Sequence, residues 1–120
     1  MAIIPPRPPL QPLGPESPTI VLGPGGDFID MDAPGQLAAG PGDDFIGGSL
    51  GDDSILGRLG DDQINGRDGN DVILGGQGND FLGGDAGDDW LEGQANADSL
   101  AGSFGDDTLL GGGGHDLLTG

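Results

Sequence analysis

An aspartate recurs every nine residues without interruption, at Asp44, Asp53, Asp62, Asp71, Asp80, Asp89, Asp98, Asp107 and Asp116. Two residues after each stands Ile or Leu, from Ile46 through Leu118, and two before each stands glycine, with Asn96 the one departure. Five residues before each there is again glycine, from Gly48 through Gly111, with Ala39 in that place in the first copy. The unit reads G-x-x-G-x-D-x-[IL]-x. A fixed period of this length points to stacked coils, because one unit cannot bury its single apolar face alone.

Each unit divides into a turn and a strand. Glycines at the first and fourth positions are expected to supply positive φ and to let carbonyls turn inward where a side chain would collide. Asn96 is the mildest replacement, since asparagine tolerates the left-handed region. The last three residues, such as Phe45-Ile46-Gly47 or Val72-Ile73-Leu74, read as a minimal strand with its middle side chain inward and its flanks outward. Two copies then make one coil of about eighteen residues. Odd copies form one parallel sheet and even copies the other, an all-β solenoid with two short parallel sheets.

One Ile or Leu per nine residues is a thin core, and electrostatics opposes folding further. Ala39 to Thr119 carries 17 acidic side chains against Arg58 and Arg67, a net charge of −15. A compact state with that self-repulsion calls for a bound cation. Carboxylates and turn carbonyls are hard oxygen ligands that suit calcium; magnesium prefers strict octahedra, and zinc prefers nitrogen or sulfur, for which His115 is the only candidate. Stacking at about 4.8 Å sets Asp44 over Asp62 over Asp80 and Asp53 over Asp71 over Asp89. Each carboxylate is expected to bridge the ions above and below it. If a site needs the turns of copies i and i+2, nine copies give about seven sites, and seven calcium ions would nearly cancel the charge.

Copies such as G75-G-Q-G-N-D-F-L-G and G66-R-D-G-N-D-V-I-L resemble the nonapeptide G-G-x-G-x-D-x-U-x of the repeats-in-toxin (RTX) family. The resemblance covers Ala39 to Thr119. It implies a right-handed parallel β-roll in which the first six residues of each copy form a calcium-binding turn and the nine aspartates named above are ion ligands. It also implies type I secretion, with folding delayed until the chain meets extracellular calcium. Asp43, Asp52, Asp61, Asn70, Asn79, Asp88 and Asp106 hold the variable fifth position, where the family often has Asx, and are expected to act as supporting ligands. The seventh copy, with Asn96 and Ala97, is expected to bind more weakly. Many relatives carry a cap and a secretion signal beyond the repeats. The sequence stops at Gly120 directly after a repeat, which suggests a fragment or an end covered by a partner.

Upstream the composition changes. All ten prolines lie within residues 1–41, which favours an extended, polyproline-like arm over residues 1–21. L22-G-P-G-G-D-F-I-D echoes A39-G-P-G-D-D-F-I-G, so Asp27 and Ile29 are expected in a degenerate first coil. Met31 to Ala38 is one residue short of a copy and reads as a capping turn, completing a 22–38 segment ahead of the array at 39–120. On the even sheet the outward positions include Leu56, Val72, Leu74, Trp90 and Leu110, an apolar face expected to meet solvent and to mark an interface or a covering segment. The apolar residues of the arm could cover it in cis or in trans.

Several function classes find no support. There is no cysteine and no tyrosine, one histidine, and no H-E-x-x-H or G-x-S-x-G motif, so no catalytic constellation is readable. A formal charge of −18 repels nucleic acid. No apolar run approaches a membrane span, and Met1 to Leu10 lacks a signal-peptide core. The expected protein is a non-enzymatic, secreted calcium-binding module. The alternatives are a self-assembling subunit of an extracellular fibre or surface layer, joined through the last coil, the apolar face or the arm, and a fragment of a larger secreted toxin or enzyme.

Overall fold

Near-identical copies set end to end pair best with the copy two units away, where inward and outward positions coincide. A computed structural model describes residues 19–120 and folds them on that rule; the expected arm lies largely outside the described residues. The strands are β1 (Thr19–Val21), β2 (Phe28–Asp30), β3 (Gln36–Ala38), β4 (Phe45–Gly47), β5 (Ser54–Leu59), β6 (Gln63–Asp68), β7 (Val72–Gln77), β8 (Phe81–Ala86), β9 (Trp90–Ala95), β10 (Ser99–Phe104), β11 (Thr108–Gly113) and β12 (Leu117–Thr119). They form two six-stranded sheets, β1-β3-β5-β7-β9-β11 and β12-β10-β8-β6-β4-β2. Every pairing is parallel, and within the array it joins residues one full coil apart, as in Ile55↔Ile73 and Ile64↔Leu82. This is the all-β parallel solenoid anticipated from the period.

The core is one column. Leu37, Ile46, Ile55, Ile64, Ile73, Leu82, Leu91 and Leu100 are all at most 1% exposed and interleave between the sheets. Leu22, Ile29 and Leu109 pack against its ends. At the N-terminal end the degenerate coil is present: β2 pairs with β4 as Phe28↔Phe45 and Ile29↔Ile46, and β1 pairs with β3. Phe28 and Phe45 stack on the outer surface with ring centroids 5.1 Å apart. Arg67 reaches back to form an ion pair with Asp30, its guanidinium crossing Gly47 where a β-carbon would obstruct it.

Three local expectations are corrected. The strands of the central coils are six residues long, not three, because pairing continues into the next copy, as in Arg58↔Gly76 and Leu59↔Gln77. Positive φ falls on the second and fourth positions, not the first and fourth. The second-position residues Arg58, Arg67, Asp85, Gln94 and Ser103 have φ between 75° and 82°, a strained region for side chains that the stacked backbone imposes from the third copy onward. The outer face of the even sheet is also not the solvent face expected: Val72, Leu74 and Trp90 are buried as a second cluster.

Candidate metal centre

The nine aspartates occupy equivalent places, just before each strand, and share one geometry. Oδ1 of each accepts a hydrogen bond from the backbone of the preceding coil. Asp44 N–H donates to Asp62 at 2.8 Å, Asp53 to Asp71 at 2.8 Å, Asp62 to Asp80 at 2.9 Å and Asp71 to Asp89 at 2.8 Å. The ladder continues through Asp98, Asp107 and Asp116. At the N-terminal end, Asp27 and Gly35 donate to Asp44 and Asp53. A backbone N–H thus holds one oxygen of each carboxylate and fixes where the other lies.

The other oxygen is the informative one. Oδ2 of Asp27, Asp44, Asp62, Asp71, Asp80, Asp89 and Asp98 is buried with no hydrogen-bond partner. An orphaned buried carboxylate oxygen is costly unless something cationic reaches it. Each turn leaves room for that. Oδ2 of Asp71 lies over the α-carbon of Gly66, and that of Asp80 over Gly75, where a β-carbon would collide. Over Gly48, Gly57 and Gly75 the carbonyls of Gly66, Gly75 and Gly93 enter the same space from the next coil. This close approach, not positive φ, is why the first position is glycine. Among the described residues no three acidic or histidine side chains converge on one point. What these turns would offer a cation is buried carboxylate oxygens and turn carbonyls, the donor types of a hard ion.

Electrostatics agrees. Burial raises Asp71 to about 8; the Asp53 N–H bond lowers it, and the charges of Asp89, Asp53 and Asp52 raise it further. Asp62, Asp80 and Asp89 are raised to about 6, with burial again the largest cause. Asp98 is also raised, first by burial. Burial thus favours the protonated form of these carboxylates in the metal-free fold, and a bound cation would favour the charged form instead.

The RTX calcium-binding nonapeptide repeat model (4 copies) matches residues 36–64, 47–82 and 83–118, together more than two thirds of the chain. The chain belongs to the RTX calcium-binding nonapeptide repeat family. No curated protein and no solved structure matches it. As an RTX repeat protein it is a calcium-binding repeat protein, and its turns differ from one another in ways the repeat pattern alone conceals.

The RTX turn from Gly48 to Asp53 is closed internally. Ser49 donates from its backbone at 2.7 Å and from its hydroxyl at 2.9 Å to Asp53 Oδ2, and neither Ser49 nor Gly51 has positive φ. The short copy beneath it is the cause: Gly51 rests on Pro34, and Gly35 N–H takes the place of the usual aspartate donor. Asp27, absent from the nine predicted ligands, joins the orphaned set, and its local echo of the repeat is the signal that marks it. Asp107 and Asp116, at the other end, are only partly buried.

The fifth-position residues form a second ladder running the other way. Asp43 accepts from Asp61 N–H at 2.8 Å, Asp52 from Asn70 at 2.8 Å, Asp61 from Asn79 at 2.8 Å, Asn70 from Asp88 at 2.9 Å and Asp88 from Asp106 at 2.9 Å. Asn79 accepts from Ala97 N–H at 3.0 Å, but Ala97 has no side chain to continue the ladder. In the same copy Asn96 takes φ 84° and accepts from Gly78 N–H at 3.2 Å. Ala97→Asn should restore an acceptor for the next coil and stabilise the calcium-loaded protein by about 0.5–1.5 kcal/mol. Urea unfolding at saturating calcium checks it; no gain would mean the exposed ladder contributes nothing there.

Proposed function

We propose that the chain is a secreted, non-enzymatic module whose folding is driven by extracellular calcium. The observation that carries this reading is the set of seven buried, partnerless aspartate oxygens in a chain of net charge −18. Without a cation that arrangement is self-repelling; with one it becomes the main cohesive element of a fold whose core is a single column. The reading supports about seven ions, in line with the seven orphaned oxygens, with Asp27 entering and the Ser49-closed turn of Asp53 the least receptive. Extracellular calcium modules bind at about 10⁻⁴–10⁻³ M. That range leaves such a chain unfolded at cytosolic calcium and folded outside the cell.

The test is a calcium titration followed by far-ultraviolet circular dichroism, with magnesium as control. A cooperative coil-to-β transition near millimolar calcium and none with magnesium is expected, because neighbouring turns share a backbone ladder. An unchanged spectrum at about ten times the weakest typical affinity would defeat the proposal.

A second reading, assembly into a fibre or layer, is favoured by the apolar side chains that the sheet of β2 to β12 exposes: Phe28 is 73%, Phe45 44% and Phe81 51% exposed. Sedimentation in calcium separates the two readings, since a monomer at high protein concentration would exclude assembly.

A further inference from the structure

Serine stands at the second position of two copies, and the fold treats the two differently. Ser103 pairs in register with Asp85 of the coil beneath it, takes φ 81° and is exposed. Ser49 lies outside any strand, because β4 ends at Gly47 and the copy beneath is the short one. Its φ is not positive. Without a regular coil below to force the left-handed region, its side chain turns inward, and the residue is 3% exposed.

The inward position is the one an ion would need. Ser49 gives Asp53 Oδ2 its backbone N–H at 2.7 Å and its hydroxyl at 2.9 Å, and the hydroxyl oxygen accepts from Gly51 N–H at 3.2 Å. Gly35 N–H holds the other carboxylate oxygen at 2.9 Å. Both oxygens of this buried carboxylate are therefore bonded inside the protein, and such charge-assisted bonds offset its burial. Asp53 is missing from the set whose Oδ2 has no partner, although that set holds Asp44 before it and Asp62 after it. Over Gly57 and Gly75 the Oδ2 of Asp62 and of Asp80 meets the carbonyls of Gly75 and Gly93 with no donor on the carboxylate oxygen. Over Gly48 the carbonyl of Gly66 meets an Oδ2 that Ser49 has already taken.

We infer that Ser49 decides the occupancy of this turn: the copy from Gly48 to Asp53 matches the repeat yet takes no calcium, its serine standing in for the ion. The inference rests on the reading that the open turns hold calcium. It gives the array one turn that closes without metal. The next turn on that side, Gly66 to Asp71, is tied to it through Asp53 N–H and Asp71 Oδ1 at 2.8 Å. Solenoid coils are stabilised through their neighbours, so the Ser49 turn supplies a formed platform on which that turn closes around its ion.

The test is the number of calcium ions bound per folded chain, counted by equilibrium dialysis at saturating calcium, with far-ultraviolet circular dichroism verifying β-content in each variant. A count is read in place of a folding midpoint because any loss of stability shifts a midpoint coupled to metal binding. Asp80→Ala should lower the count by one, and Asp53→Ala should leave it unchanged. Ser49→Gly should raise it by one, while Ser103→Gly should not alter it. Glycine already stands at this position in other copies, as Gly76 and Gly112, so Ser49→Gly decides alone if an alanine variant does not fold. A count that falls by one in Asp53→Ala as in Asp80→Ala would overturn the inference by itself, as would an unchanged count in Ser49→Gly. No calcium uptake by the unmodified chain would overturn the calcium reading and this inference together.

Discussion

Asp71→Asn should move the calcium-loaded and metal-free states in opposite directions. Asparagine keeps an oxygen to accept the Asp53 N–H, bonded at 2.8 Å in the native chain, so the ladder survives. What it removes is the negative charge of Oδ2, buried without a partner. In the loaded protein a ligand charge is lost, and the calcium midpoint should rise about tenfold, equivalent to about 1.4 kcal/mol. In the metal-free chain the same change removes the carboxylate that burial and the charges of Asp89, Asp53 and Asp52 disfavour most, so residual β-structure should increase. Asp61→Asn is the control. Asp61 is exposed and also accepts a backbone N–H, at 2.8 Å from Asn79, so its replacement should barely shift the midpoint, as expected for a screened surface charge. Equal shifts for the two variants would show that overall charge, not the buried cradle, sets the calcium requirement.

How far this design could be read in advance follows from what repeats and what does not. The nine-residue lattice of Asp and Ile/Leu fixes the coil, the two sheets and the column from Ile46 to Leu100, because each of those depends on one side chain per copy. The echo at Asp27 to Ile29 carries the degenerate coil for the same reason. Features set by contact between coils were less legible. The second position varies freely, Arg58, Arg67, Asp85, Gln94 and Ser103, so nothing in its chemistry signals the positive φ that stacking imposes there. The first-position glycine was legible as a requirement but not as to cause; the cause is Asp71 Oδ2 and its equivalents lying over the α-carbon. Ser49 looks like an ordinary variable residue, and only the misfit with the short copy beneath turns it into the partner of Asp53. The burial of Trp90, Val72 and Leu74 as one cluster joins residues of different copies, a long-range matter that strand alternation does not encode.

The second large effect is on pH, and calcium should invert its sign. In the metal-free fold Asp62, Asp80 and Asp89 are raised to about 6 and Asp71 to about 8, against 3.8 as the ordinary value. The folded metal-free chain therefore binds more protons than the unfolded chain throughout that interval, and its stability must fall as pH rises. Its advantage is complete below about pH 4; Asp62, Asp80 and Asp89 lose theirs near pH 6, and Asp71 near pH 8. Bound calcium reverses the order. The loaded fold needs its carboxylates ionised, so it binds fewer protons than the unfolded chain once pH approaches the ordinary carboxylate range, and it loses stability as pH falls through about 4. Between pH 8 and 6 both the unfolded chain and the loaded fold are ionised. The midpoint for folding from the unfolded state should therefore be nearly flat in that range and climb steeply only in acid. Circular dichroism from pH 8 to 4, with chelator and with saturating calcium, should give β-content rising with acidity in the first series and falling in the second. Two curves of the same sign would mean that the aspartate cradles do not exchange protons for calcium.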